Sequence, residues 1–163
     1  MSDALTAEVL PGREIEREDQ FLATFDELAR AIRRARGASN AGNGEALTLS
    51  QYGLLQPLAE RKQARTGELA EAAGITASTA TRILDALERR GLVMRLQAAD
   101  DRRAVAVRLT SRGRVLLGRH REWIRERQRD FYAGLGPVSR GLAPELLHRL
   151  AVLIDDLAAG PDS

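Results

Sequence analysis

Apolar positions along this chain fall first at helical spacing, then at strand spacing, then at helical spacing again. Phe21, Phe25, Leu28 and Ile32 stand four, three and four residues apart, which predicts a helix from Ile15 to about Arg36 with charge on its other faces. Residues 37–45, GASNAGNGE, have loop composition. A second helix is expected from an N-cap at Ser50, presenting Tyr52, Leu54, Leu55 and Leu58. Pro57 should kink that helix or end it early, because it lacks an N–H and its ring crowds the preceding turn. Lys62 to Arg65 reads as a basic connector. Thr66 is expected to cap a third short helix with Leu69, Ala70 and Ala73 inward, and Gly74-Ile75 to turn the chain into a fourth.

That fourth helix, TASTATRILDALERRG, is the most strongly patterned. Thr76 or Ser78 supplies the N-cap, and Gly91 the stop. Ala80, Ile83, Leu84 and Leu87 form one apolar arc; Ser78, Arg82, Asp85 and Arg89 lie opposite, flanked by Thr79 and Thr81. Small hydroxyls and an arginine at the N-terminal front suit base edges and phosphates in a major groove. Taken alone, the same pattern fits a solvated amphipathic helix equally well. Two short helices joined by a Gly-containing turn, the second with a polar front, make a helix-turn-helix.

After Gly91 the period changes to two. Val93 to Gln97 reads as a strand, residues 98–103 (AADDRR) as a polar turn, and Val105, Val107 and Leu109 as the buried face of a return strand. Strand, charged loop and strand at this point form a wing. Thr110-Ser111 should cap a long helix reaching about Ala133, with Val115, Leu116, Ile124 and Phe131 on its apolar side, until Gly134, Gly136 and Pro137 break it. A last helix is expected from about Ala143 to Ala158. Its stripe of Leu146, Leu147, Leu150, Leu153, Ile154 and Leu157 is too wide for one winged domain of about 65 residues to cover. That stripe and the Phe21 to Ile32 stripe point to a homodimer built through the terminal helices.

Composition narrows the picture. In 163 residues with 44% apolar and 4% aromatic content, the core must come from Leu, Ala, Val and Ile. Net charge is only +2, although all but one of the 25 basic residues are Arg, a bias that a GC-rich coding sequence also produces. With no cysteine there is no disulfide, thiol redox sensor or thiolate metal site. The N-terminal stretch lacks the apolar core of a signal peptide, and no run is long enough to span a membrane, so a cytoplasmic protein is expected. No Gly-rich phosphate loop follows a strand, and the carboxylates alternate with Arg on helical faces. No enzyme, cofactor or metal is therefore expected. His120 and His148 stand on separate helices without further ligands and read as surface residues.

The ordered set of STATR, LxxLExRGLVxR ending at Arg95, the D-x-R of Asp101 and Arg103, and LTxxG at Leu109 to Gly113 resembles the MarR family of winged helix-turn-helix regulators. The likeness runs from about Phe21 to Ala158. It implies a mainly α fold with a small β-wing, divided into a lead-in (1–14), an N-terminal dimerisation helix and loop (15–45), a winged DNA-binding domain (46–110) and C-terminal dimerisation helices (111–163). It further implies a homodimer that regulates transcription, commonly as a repressor, on double-stranded DNA. By that resemblance Ser78, Thr79, Thr81 and Arg82 meet base edges and phosphates, Arg103 enters the minor groove, and Asp101 holds Arg103. Members often release DNA on binding a small aromatic or phenolic effector, and Tyr52, His120 and Trp123 are the candidate pocket residues. Ordinary packing explains those three as well. Arg82 has a bland alternative too, an i,i+3 pair with Asp85. Arg89 and Arg90, at the helix end, are expected to be solvated or to offset the helix dipole. Lys62 and Arg65 fit a phosphate clamp or a solvated connector alike. The sequence departs from the family at Ala98-Ala99, where a polar residue and a proline are usual, and at Pro57. A winged module that docks only protein is the alternative reading; the polar, Arg-bearing front of the Ser78 helix argues against it, since docking faces carry apolar anchors.

Overall fold

The computed structural model describes residues 11–37, 46–97 and 105–160, in two compact units, residues 1–118 and 119–163. Helix α1 spans Pro11–Gly37. It starts four residues before the expected Ile15, with Pro11 in its first turn. The first-turn N–H groups of a helix have no intrahelical acceptor, so a proline there interrupts no bond.

Helix α2 (Leu49–Leu55) is capped by Thr48, not by Ser50. Thr48 Oγ1 accepts from the Gln51 N–H at 3.1 Å, and Gln51 Oε1 accepts from the Thr48 N–H at 3.1 Å, a reciprocal capping box. Ser50 sits inside the helix and donates its hydroxyl to the Arg36 carbonyl at 2.9 Å, tying α2 to the end of α1. A 3-10 turn, Gln56–Ala59, replaces further α-helix where Pro57 falls, as its missing N–H requires.

The expected basic connector contains a strand, β1 (Ala64–Arg65). Helix α3 (Thr66–Ala72) follows, with Arg65 rather than Thr66 in the cap position and the Arg65 N–H donating to Glu68 Oε2 at 3.2 Å. Helix α4 is Ala77–Arg89, β2 is Val93–Gln97 and β3 is Val105–Leu109. The three strands form an antiparallel sheet ordered β1-β3-β2, with Arg95 opposite Val107 and Leu96 opposite Ala106. Gly74 and Gly91 close α3 and α4 with φ of 61° and 67°, the left-handed region that favours glycine.

One core holds this unit together. Leu54, Leu69, Ala80, Leu84, Leu87 and Val107 are wholly inaccessible, and Leu47, Leu55, Leu58, Leu92, Val93, Leu109 and Leu117 join them. The strand β3 departs from simple alternation: Val105 is exposed and Ala106 buried. Ala106 lies outside the core cluster, on the central strand between Arg65 and Leu96, where larger neighbours shelter its single methyl. Val105 pairs with Gln97 at the last register position of the β2–β3 ladder.

Helix α5 (Ser111–Gly134) and helix α6 (Pro137–Ala159) complete the chain. Helix α6 begins six residues before the expected Ala143, because Pro137 opens it and Pro144 is carried inside. No residue of α6 is buried in a single chain, and Leu146, Leu147, Leu153, Ile154 and Leu157 are all exposed.

Candidate nucleic-acid interface

The front of α4 is built from its cap outward. Thr76 Oγ1 accepts from the Thr79 N–H at 3.3 Å, its hydroxyl donates to Thr79 Oγ1 at 2.9 Å, and Ser78 Oγ lies 3.1 Å away. This cluster orders the hydroxyls of the first turn. Thr79 is half-buried, while Ser78, Thr81 and Arg82 are exposed. The Thr81 hydroxyl donates back to the Ala77 carbonyl at 2.9 Å, which leaves its oxygen free to accept but spends its hydrogen. Ser78 and Arg82 are one turn apart on the same outer face. Behind them Ala80, Leu84 and Leu87 are completely buried, so the helix has no freedom to turn that face inward.

Arg82 makes no pair with Asp85. Asp85 Oδ1 instead accepts from Arg95 Nη2 of β2 at 2.6 Å. Arg95 Nη1 donates to Glu88 Oε2 at 2.6 Å, and the Arg95 backbone N–H donates to Glu88 Oε1 at 3.2 Å. The hydrogen bond to Asp85 raises the Arg95 pKa most; burial opposes it, and the charges of Glu88 and Asp85 add to it. These contacts bind the first wing strand to the helix. No role is expected for Arg95 from the residue pattern alone. The signal it does carry is two carboxylates three residues apart on α4, with an arginine four residues past the Gly91 stop.

Arg90, expected to be solvated or to offset the helix dipole, is partly buried and hydrogen-bonded. Its guanidinium donates to Gln51 Oε1 at 3.3 Å and to the Ala46 carbonyl at 3.1 Å, and Arg112 donates to the Arg90 carbonyl at 3.2 Å. Burial, followed by repulsion from Arg112, lowers the Arg90 pKa. Arg89 remains exposed. At the base of the wing Thr110 gathers three partners: its N–H donates to the Leu92 carbonyl at 3.0 Å, its hydroxyl donates to the Gly91 carbonyl at 2.7 Å, and its oxygen accepts from the Gly113 N–H at 3.0 Å. This is the structural content of the LTxxG run.

Asp101 and Arg103 lie outside the described residues. Lys62 and Arg65 are exposed. Of the three candidate pocket residues, Tyr52 is half-buried against the core of the first unit. His120 and Trp123 belong to the second unit, with ring centroids 5.6 Å apart and planes tilted by 42°. Burial lowers the His120 pKa. A shallow open cleft of about 450 Å³ is lined by Ala31, Ile32, Ala35, Arg36 and Leu49 and includes none of the three. Among the described residues no group of three or more His, Cys, Asp or Glu side chains is disposed around a metal position. No helix among them is long and apolar enough to cross a membrane.

A helix-turn-helix with its polar second helix outward, followed directly by a two-stranded wing, defines a winged-helix DNA-binding protein. The MarR family profile matches residues 47–105. The HTH-type transcriptional regulator FarR of Neisseria gonorrhoeae is 35% identical over 111 residues, 68% of this chain and 76% of that one. The homoprotocatechuate degradative operon repressor of Escherichia coli is 36% identical over 87 residues, 53% of this chain and 59% of that one. FabT of Streptococcus pneumoniae, solved in complex with DNA, has the same fold, with a TM-score of 0.68 at 18% identity over 88% of this chain and 99% of that one. The chain belongs to the MarR family of transcriptional regulators. It is a DNA-binding regulator, and the protein-docking alternative is not favoured.

Proposed function

We propose that the chain acts in the cytoplasm as a homodimeric repressor that reads a pseudo-palindromic operator with α4 and is released by a small aromatic effector. The observation that carries the reading is the face of α4 itself. Ser78, Thr81 and Arg82 are exposed on the side opposite Ala80, Leu84 and Leu87, and Arg82 is not drawn into an ion pair with Asp85. Thr79, half-buried in the cap cluster, orients its neighbours and offers its hydroxyl at the edge of the face. In this reading Arg103 supplies the minor-groove contact and Asp101 holds it, as the family resemblance implies.

The exposed apolar residues support the dimer. Phe21, Leu22, Leu28 and Ile32 on α1, and Leu146, Leu147, Leu153, Ile154 and Leu157 on α6, are exposed in one chain. An apolar stripe of that kind on either helix is unusual on a monomer. Burying each leucine contributes about 1.5–3 kcal/mol, so a shared interface of such residues outweighs the cost of association. Repression and an aromatic effector are supported by the name of the E. coli relative and by the tilted ring pair of His120 and Trp123.

Binding of the full chain to duplexes selected from a random pool tests the reading, with Trp123 fluorescence followed while phenolic and aromatic carboxylate compounds are added. The expected result is tight, salt-sensitive binding to an enriched sequence, weakened by at least one compound that also changes the fluorescence. Binding of all duplexes with equal affinity would overturn the operator reading, and an unchanged affinity throughout the compound set would overturn the effector reading.

A further inference from the structure

We propose that Arg95 is a positioning residue for DNA recognition: its bridge to Asp85 and Glu88 clamps the first wing strand to α4 and keeps Arg82 open to the duplex. The proposal rests on α4 as the reading helix. Its geometry is explicit. Asp85 is three residues beyond Arg82, and side chains at that spacing are neighbours on a helix surface. Without another cation, Asp85 would draw the Arg82 guanidinium down onto the helix, away from any base. The structure instead gives Asp85 to Arg95 at 2.6 Å and Glu88 to the same guanidinium at 2.6 Å.

Both oxygens of Glu88 are engaged, one by the guanidinium and one by the Arg95 backbone N–H. The clamp therefore fixes the backbone of β2 as well as its side chain. Arg95 is paired in register with Val107, which is completely buried, so it emerges on the helix-covered face of the sheet. Its side chain is 28% exposed, against 43% for Asp85 and 39% for Glu88. Arg95 thus lies beneath the carboxylates and acts through them. It performs two tasks. It offsets two negative charges on a helix that must approach phosphates. It also holds the root of the wing at one distance from α4, so that the two reading elements arrive at the duplex together.

The test uses the full chain and the duplex that the wild type enriches most from a random pool. Arg95→Met, Arg95→Lys and the double variant Arg95→Met with Asp85→Asn are titrated against that duplex, its single-base variants and an unrelated duplex. Thermal unfolding is recorded for each. Loss of the Arg82 contact predicts that Arg95→Met weakens binding to the selected duplex about ten-fold or more, with a smaller loss on the unrelated one. The lost discrimination should fall at the base pair where Arg82→Ala also loses it. Adding Asp85→Asn should restore much of that discrimination, because no carboxylate is left to capture Arg82. If Arg95→Met does not fold, Arg95→Lys serves in its place: a single ammonium cannot hold both carboxylates in a fork, so the same base pair should lose discrimination in part. An unchanged base-preference profile in the folded variants, or a double variant no more discriminating than Arg95→Met, would overturn the proposal. If the wild type enriches no sequence, the DNA-reading assignment of α4 fails first. If it enriches one and the variants keep its profile, the role of Arg95 alone fails.

Discussion

A methyl group added to Gly113 would overlap the backbone carbonyl oxygen of Leu92. The first turn of α5 is therefore pressed onto the entrance of β2, and Thr110 stitches the same junction with bonds to Gly91, Leu92 and Gly113. The obstacle is backbone, which cannot rotate away as a side chain would. Gly113→Ala should destabilise the chain by about 1–3 kcal/mol or more, the usual cost of overpacking. Gly118, in the same helix with nothing near its Cβ position, is the control, and Gly118→Ala should be neutral or stabilising by up to about 1 kcal/mol. Urea unfolding of the two variants checks the contrast; equal stabilities would show that the junction is looser than drawn.

Arg82 and Arg103 should differ in what they cost. Replacing Arg82 with Ala should remove about 1–3 kcal/mol per contact and relax preference at one position in each half-site. Replacing Arg103 should weaken good and poor sites by similar factors and flatten the salt slope, because the minor groove offers a degenerate pattern. Asp101→Ala should reproduce part of the Arg103 effect. Affinities for single-base operator variants at two salt concentrations separate the two arginines, and identical profiles would refute the division.

The exposed stripe of α6 makes a further expectation. Sedimentation of the full chain at micromolar concentration should show a dimer, and removal of residues 140–163 should give insoluble or unfolded protein. A stable, folded monomer would contradict the assignment of these helices to an interface.

Burial lowers the His120 pKa below its ordinary value of 6.5. The sign follows from linkage. Well above pH 6.5 the ring is neutral in both folded and unfolded chains and contributes no pH dependence. As the pH falls below that value the unfolded chain takes up a proton that the folded chain resists, so stability declines until the folded pKa is passed. His120→Gln should flatten the pH dependence of thermal unfolding on the acid side of 6.5, with little effect above it. An identical pH profile in the variant would exclude His120 as the source.

Much of this architecture is legible in the pattern of residues. Helix α4 was, because Ala80, Leu84 and Leu87 repeat often enough to leave one orientation, and Thr76 and Gly91 mark its ends. What escaped was short or nonlocal. Strand β1 has two residues, too few to show an alternation. Thr48 and Ser50 are both capping types, and Gln51, three residues after Thr48, decides between them by completing the capping box. Gly134, Gly136 and Pro137 end α5 as expected, but Pro137 also opens α6, which a reading of proline as a breaker alone leaves out. Local rules pair Asp85 with Arg82, whereas its partner Arg95 comes from the following strand. Asp101 and Arg103, assigned by family likeness, lie outside the described residues.

The most direct test of the central claim, that a two-fold dimer presents two copies of α4 to successive major grooves, is the sequence that the wild-type chain selects from a random duplex pool, footprinted on the winning duplex. The account predicts an inverted repeat whose half-sites are centred about 10–10.5 base pairs apart, each protected equally. A single unrepeated half-site, or a pool that shows no enrichment, would contradict it.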